Sequence, residues 1–179
     1  MKKIKKSVLL ELFDYLKMII FVVIFVLVMN NFIIVNALIP SESMENTIMT
    51  GDRIFGNRLS YLANEPERGD IIIFRFPDDE RQLYIKRVIG LPGDEINIVE
   101  GKVYINNSDT PLDEPYLAEE MIGDYGPFEV PEDSYFVLGD NRNKSKDSRI
   151  WSNKYVRKGQ IEGKAIVRYF PFDTMGTIK

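Results

Sequence analysis

The chain has 179 residues, with 23 lysines and arginines against 27 aspartates and glutamates for a net charge of −4; that is enough sequence for one membrane segment and a single domain with its own core. It contains no histidine and no cysteine, which excludes a Ser-His-Asp triad, a thiolate nucleophile and any disulfide, and leaves zinc only carboxylates to bind it. The charge is uneven, +3 over residues 1–17 and −7 over the rest; an acidic remainder gains no counterion-release energy, so no nucleic-acid partner is expected.

In chain order, residues 1–17 come first, with Lys2, Lys3, Lys5, Lys6 and Lys17 against Glu11 and Asp14. They read as a basic cytoplasmic tail. Residues 18–39, MIIFVVIFVLVMNNFIIVNALI, carry no charge and read as one helix of about 33 Å, enough to cross a hydrocarbon core of about 30 Å. Met18 to Met29 lacks the polar stripe of a soluble helix, and the exit NALIPSES lacks the small residues of a signal-peptide cleavage site. An uncleaved, single-pass anchor in the cell membrane is therefore expected. The lysines before it place the amino terminus in the cytoplasm and residues 40–179 outside.

Beyond Pro40 the pattern breaks into short runs rich in Ile, Val, Tyr and Phe: RIFGNRLS, DIIIFRF, QLYIKRVIG, EINIVEG, KVYINN, SYFVLGD and KAIVRYF. Turn residues separate them, and INIVEGKVYIN predicts a hairpin turning at Glu100-Gly101. The expected fold is mainly β, an antiparallel sandwich or barrel-like sheet system behind the N-terminal helix. Residues 108–131 hold four prolines and many acids and read as an irregular crossing loop.

Without histidine, a serine needs another base, and a lysine held neutral by burial can serve. Most lysines beyond Pro40 border polar stretches. Lys86 lies in LYIKRVI, where alternation puts Tyr84, Lys86 and Val88 on one strand face and Ile85, Arg87 and Ile89 on the other. It is the best candidate for a desolvated amine, although a lysine snorkelling off an edge strand fits the same pattern. Ser43, in IPSESMENTI, is either a nucleophile or an ordinary turn residue. Met44 beside it suggests a pocket wall, and the Ser41 hydroxyl with the Ser43 amide could form a two-donor oxyanion hole.

PSESM at residues 40–44, GDIIIFRFPDDERQLYIKRVIGLPGD at 69–94 and GDNRNKSKDSR at 139–149 stand in the order of the three signature blocks of bacterial type I signal peptidases. The chain resembles the short, single-anchor form of that family nearly end to end. The resemblance implies a membrane-bound serine endopeptidase that cleaves signal peptides from exported preproteins. It implies Ser43 as nucleophile, Lys86 as general base and Ser41 as side-chain oxyanion donor. Ser145 falls on the serine that bonds the lysine amine, and Asp147 with Arg149 on a supporting ion pair. Ile39, Met44, Tyr84 and Ile85 fall on the walls of the substrate pockets. The partners implied are preprotein signal peptides, the lipid bilayer and a nearby secretion translocon; no metal or cofactor is needed. Glu42, Asn46 and Asn143-Lys144 depart from the family pattern without replacing a catalytic group. Two rivals are a soluble Ser/Lys self-cleaving regulator, which would carry a DNA-binding module, and a catalytically inactive, membrane-tethered β domain that binds exported chains.

Overall fold

The computed structural model describes residues 2–178; the side chains of residues 2–7, with four lysines of the basic tail, and Lys179 lie outside the described residues. One helix, α1, runs from Lys2 to Val28 and ends in a π turn over Met29–Ile33. The Asn31 side-chain amide donates to the Leu27 carbonyl at 2.8 Å, which offsets the cost of a polar group in an apolar span. The 26 residues Val8–Ile33 are long and apolar enough to cross a membrane, and none of that stretch is buried in the protein.

The uncharged run expected as a single 18–39 helix divides at Ile33. Residues Ile34–Leu38 form strand β1, paired antiparallel with β2 (Arg53–Asn57). Val35 and Ile39 each expose only 3 % of their surface. The run carries two jobs with one composition: apolar enough for a span, yet β-branched and alternating at its end, where β2 satisfies its backbone.

The strands that follow are β3 (Ile71–Phe76), β4 (Asp79–Gly90), β5 (Glu95–Val99), β6 (Lys102–Ile105), β7 (Tyr125–Glu129), β8 (Ser134–Leu138), β9 (Val156–Arg157), β10 (Ile161–Phe170) and β11 (Gly176–Thr177). The fold is mainly β and antiparallel throughout. The larger sheet has the order β1-β2-β10-β3-β4-β8-β9, with β11 on β10, and the smaller is β6-β5-β7. The Glu100-Gly101 hairpin forms as expected, both turn residues taking positive φ, the conformation of a type I′ turn.

Strand β3 explains its own unbroken apolar run. Ile71 and Ile73 enter one core cluster with Val35, Ile39, Met44 and Ile85, while Ile72 and Phe74 enter another with Val88, Tyr135 and Trp151. A strand buried on both faces needs no polar alternation. In the first cluster β1 meets β3 and β4, three and four strands away in the sheet order, so the large sheet coils over itself. A third cluster, built on Ile89, Ile96, Phe128 and Phe136, joins the small sheet to it.

The loop expected over 108–131 is irregular only to Asp124. Tyr125–Glu129 pairs with β5 at the edge of the small sheet, a position that tolerates Pro127 because an edge strand can spare a donor.

Candidate active site

Ser43 sits in one turn of 3₁₀ helix, Glu42–Met44, entered from extended Ser41. Pro40 and Ser41 remain exposed, whereas Met44 and Ile48 are fully buried and pin the turn to the core. Ser43 itself is 7 % exposed. Its carbonyl accepts from the Asn141 amide at 3.1 Å, tying the turn to the loop 139–149. At Gly139 a Cβ would collide with that carbonyl and with Ser145, so only glycine allows the two segments to pass this closely.

Lys86 stands opposite Ile72 in the β3–β4 register and is 3 % exposed. Its Nζ donates to Ser43 Oγ at 2.6 Å and to the Ile85 carbonyl at 2.9 Å. Tyr84, on the same face, brings its ring centroid to 5.7 Å of the amine. Burial lowers the Lys86 pKa from 10.5 to about 8, against the attraction of Asp147 and Asp140, which acts to raise it. Both carboxylates are occupied elsewhere. Asp147 takes two hydrogen bonds from the Arg149 guanidinium (2.8 and 2.9 Å) and Asp140 two from Arg87 (2.9 and 2.7 Å). With their charges matched, desolvation dominates at the amine.

Ser41 Oγ lies 3.4 Å from Ser43 Oγ. Ser145 is buried behind the pair, but its hydroxyl has no hydrogen-bond partner among the described residues; the bond to the Lys86 amine that the resemblance implied is not made in this structure, where that amine donates to Ser43 and Ile85. Ile39, Tyr84 and Ile85 line a cleft of about 670 Å³ together with Ser41, Ser43 and Lys86. Met44 does not. Its side chain points beneath the turn into the core with Ile48 and Ile54, which is why an apolar residue follows the serine.

Two groups in the loop 107–124 escaped the sequence reading. Glu114 forms a buried ion pair with Arg142, and the Tyr116 ring lies 3.9 Å beneath the Arg87 guanidinium. Only the acid-rich composition of that loop hinted at partners for the arginines. The departures Glu42 and Lys144 meet one another, Lys144 Nζ donating to Glu42 Oε2 at 2.7 Å. Asn46 has a φ of +86° and donates to the Tyr116 carbonyl at 2.7 Å, so an asparagine suits both its backbone and its partner.

The profile of the family described as "Signal peptidase, peptidase S26" matches residues 12–170. Signal peptidase I of Bacillus amyloliquefaciens is 36 % identical over 188 residues, spanning 99 % of this chain and 97 % of that protein. A probable signal peptidase I-2 of Synechocystis sp. is 43 % identical over 145 residues, 78 % of this chain; the chain spans 65 % of that longer protein. A crystal structure of a signal peptidase I from Enterococcus faecalis V583 is 36 % identical and covers 56 % of this chain and 97 % of its own, with a TM-score of 0.49. The chain belongs to the signal peptidase family, peptidase S26.

Proposed function

We propose that this chain is a membrane-bound endopeptidase that cuts N-terminal signal peptides from exported preproteins with Ser43 as nucleophile and Lys86 as general base. One observation carries the reading: a buried lysine amine, its pKa lowered toward neutrality, 2.6 Å from a serine hydroxyl at the wall of an open cleft. Family membership supports the substrate class.

The cleft suits an extended peptide. Strand β1 pairs only with β2, and β4 meets β8 only from Arg87 onward, so among the described residues Asn36–Leu38 and Gln82–Lys86 each present an unpaired strand edge. Both edges line the cleft, and a substrate chain lying between them can bond its backbone to either.

With Lys86 neutral, the 2.6 Å contact reverses and Ser43 O–H donates to the amine lone pair. The amine takes that proton as Oγ attacks the scissile carbonyl carbon. The Ser41 hydroxyl and the Ser43 N–H stabilise the tetrahedral oxyanion. The Lys86 ammonium then protonates the departing nitrogen, the C–N bond breaks, and a water activated by the same amine hydrolyses the acyl-enzyme. Asp147 with Arg149 holds the loop that backs the pair. The helix at Val8–Ile33 anchors the protein in the bilayer, with the amino terminus in the cytoplasm and the β domain outside, beside the translocon that delivers its substrates.

The test is cleavage of a preprotein by the full chain in detergent, with the new amino terminus identified by sequencing. Ser43→Ala and Lys86→Arg should both abolish turnover, the latter because guanidinium keeps its charge and cannot lose it. Ser41→Ala should lower kcat by about 10²–10³ with KM little changed. Appreciable activity in Lys86→Arg would defeat the mechanism. Binding without cleavage by the native chain would leave a tethered binding domain instead.

A further inference from the structure

The cleft is built of two unlike walls. Ala37, Leu38 and Leu83, from the strand edges, are apolar, while Glu42, Lys144 and Lys146 bring charge where the Ser43 turn meets the loop 139–149. The charges are not equivalent. Lys144 and Glu42 are joined, each side chain about half exposed (58 % and 50 %), and Glu42 together with the more distant Glu45 and Glu119 strengthens Lys144's hold on its proton. Lys146 is exposed, and no carboxylate among the described residues pairs with it. Lys146 is therefore an exposed, unpaired ammonium on the wall of the same cleft that holds Ser43, and its field at a bound peptide is open to screening by salt.

A cleaved preprotein changes character at the scissile bond. Its apolar upstream segment matches the β1 and β4 wall, which leaves the charged wall to the residues immediately downstream. Resting on the peptidase reading, we propose that Lys146 is a specificity-determining residue for the start of the mature chain. It favours an acidic side chain there and disfavours a basic one, and Glu42 limits that preference by holding Lys144.

The experiment uses the full chain in detergent and a peptide series identical except that the second or third residue after the cleaved bond is Glu, Ala or Lys. The quantity read is the ratio of kcat/KM for the Glu and Lys peptides within each variant, which cancels any general loss of activity. For the native chain that ratio should be about threefold to tenfold, the scale of one exposed charge attracting one ligand and repelling the other, and should collapse toward one in about 1 M salt. Lys146→Glu should invert it. Glu42→Gln, which releases Lys144, should enlarge it. A native ratio near one at both positions, or a ratio that Lys146→Glu leaves unchanged, overturns the role of Lys146. A ratio that falls in Glu42→Gln overturns the role of Glu42. Failure of the native chain to cut any peptide of the series would overturn the peptidase reading and this one with it.

Discussion

Burial pulls the Lys86 amine down to about 8 while Asp140 and Asp147 pull it up, and Arg87 and Arg149 decide the outcome by occupying those carboxylates. Under the proposed mechanism the activity should accordingly rise with pH through about 8 as Lys86 loses its proton, with no imidazole in the chain to confuse the profile. Stability carries the opposite face of the same shift. Below about pH 8 the buried ammonium is charged in both the folded and unfolded states, and a lowering from 10.5 to about 8 makes that cost roughly 3 kcal/mol. Between about 8 and 10.5 the folded protein releases the proton while the unfolded chain keeps it, so the cost fades as pH rises. Lys86→Met should therefore be more stable than the native chain by roughly 3 kcal/mol near pH 7, with the gain shrinking toward pH 10; chemical denaturation across that range checks it, and a gain independent of pH would contradict the assignment. At this scale the burial of Lys86 was legible, because alternation in LYIKRVI puts Tyr84 and Val88 on its face. Met44 was not, since an apolar residue beside a serine can face a cleft or a core and only the 3₁₀ turn decides. The unpartnered Ser145 hydroxyl was equally illegible, because a hydroxyl's partner is fixed by atoms far away in the sequence.

Among the elements, the loop 107–124 does more to position the site than its lack of strands suggests. It sends Glu114 to Arg142, Tyr116 beneath Arg87, and the Tyr116 carbonyl to Asn46, so one segment braces the loop 139–149, strand β4 and the turn after Ser43. The Arg142 side chain is fully buried and Glu114 nearly so, and removing one partner of such a pair strands the other charge. Glu114→Ala should cost about 3–5 kcal/mol in stability, and Glu114→Leu combined with Arg142→Met should recover most of it. Thermal unfolding of the three proteins decides this; a Glu114→Ala protein as stable as the native chain would show that the pair braces nothing. The strands with dense Ile, Val and aromatic runs were legible as written. Strand β1 hid inside an apolar run that also serves the anchor, and β7 hid behind Gly126 and Pro127, which a central strand would reject but an edge accepts.

On the scale of the whole molecule, composition alone foretold an apolar anchor and a β domain, but where one gives way to the other depended on β1 finding β2. The consequence is mechanical. Helix α1 passes through the five residues Met29–Ile33 straight into the strand whose edge lines the cleft, and that π turn also packs against the turn at 58–61. A domain on a slack tether would sample a volume. Here the helix continues into the strand through a single π turn, so under the proposed reading Ser43 is held at one altitude above the bilayer, as a gauge block holds a cutter. Choice of the bond to be cut then becomes partly a measurement of length, made from the membrane rather than read from side chains. Inserting Gly-Ser-Gly-Ser between Ile33 and Ile34 should leave cleavage of a soluble peptide in detergent nearly unchanged. Preproteins embedded in vesicles should then be cut at more than one position, visible as a ladder of mature termini by mass spectrometry. A single unchanged terminus would mean that the stem sets no height, and that the walls of the cleft choose the bond unaided.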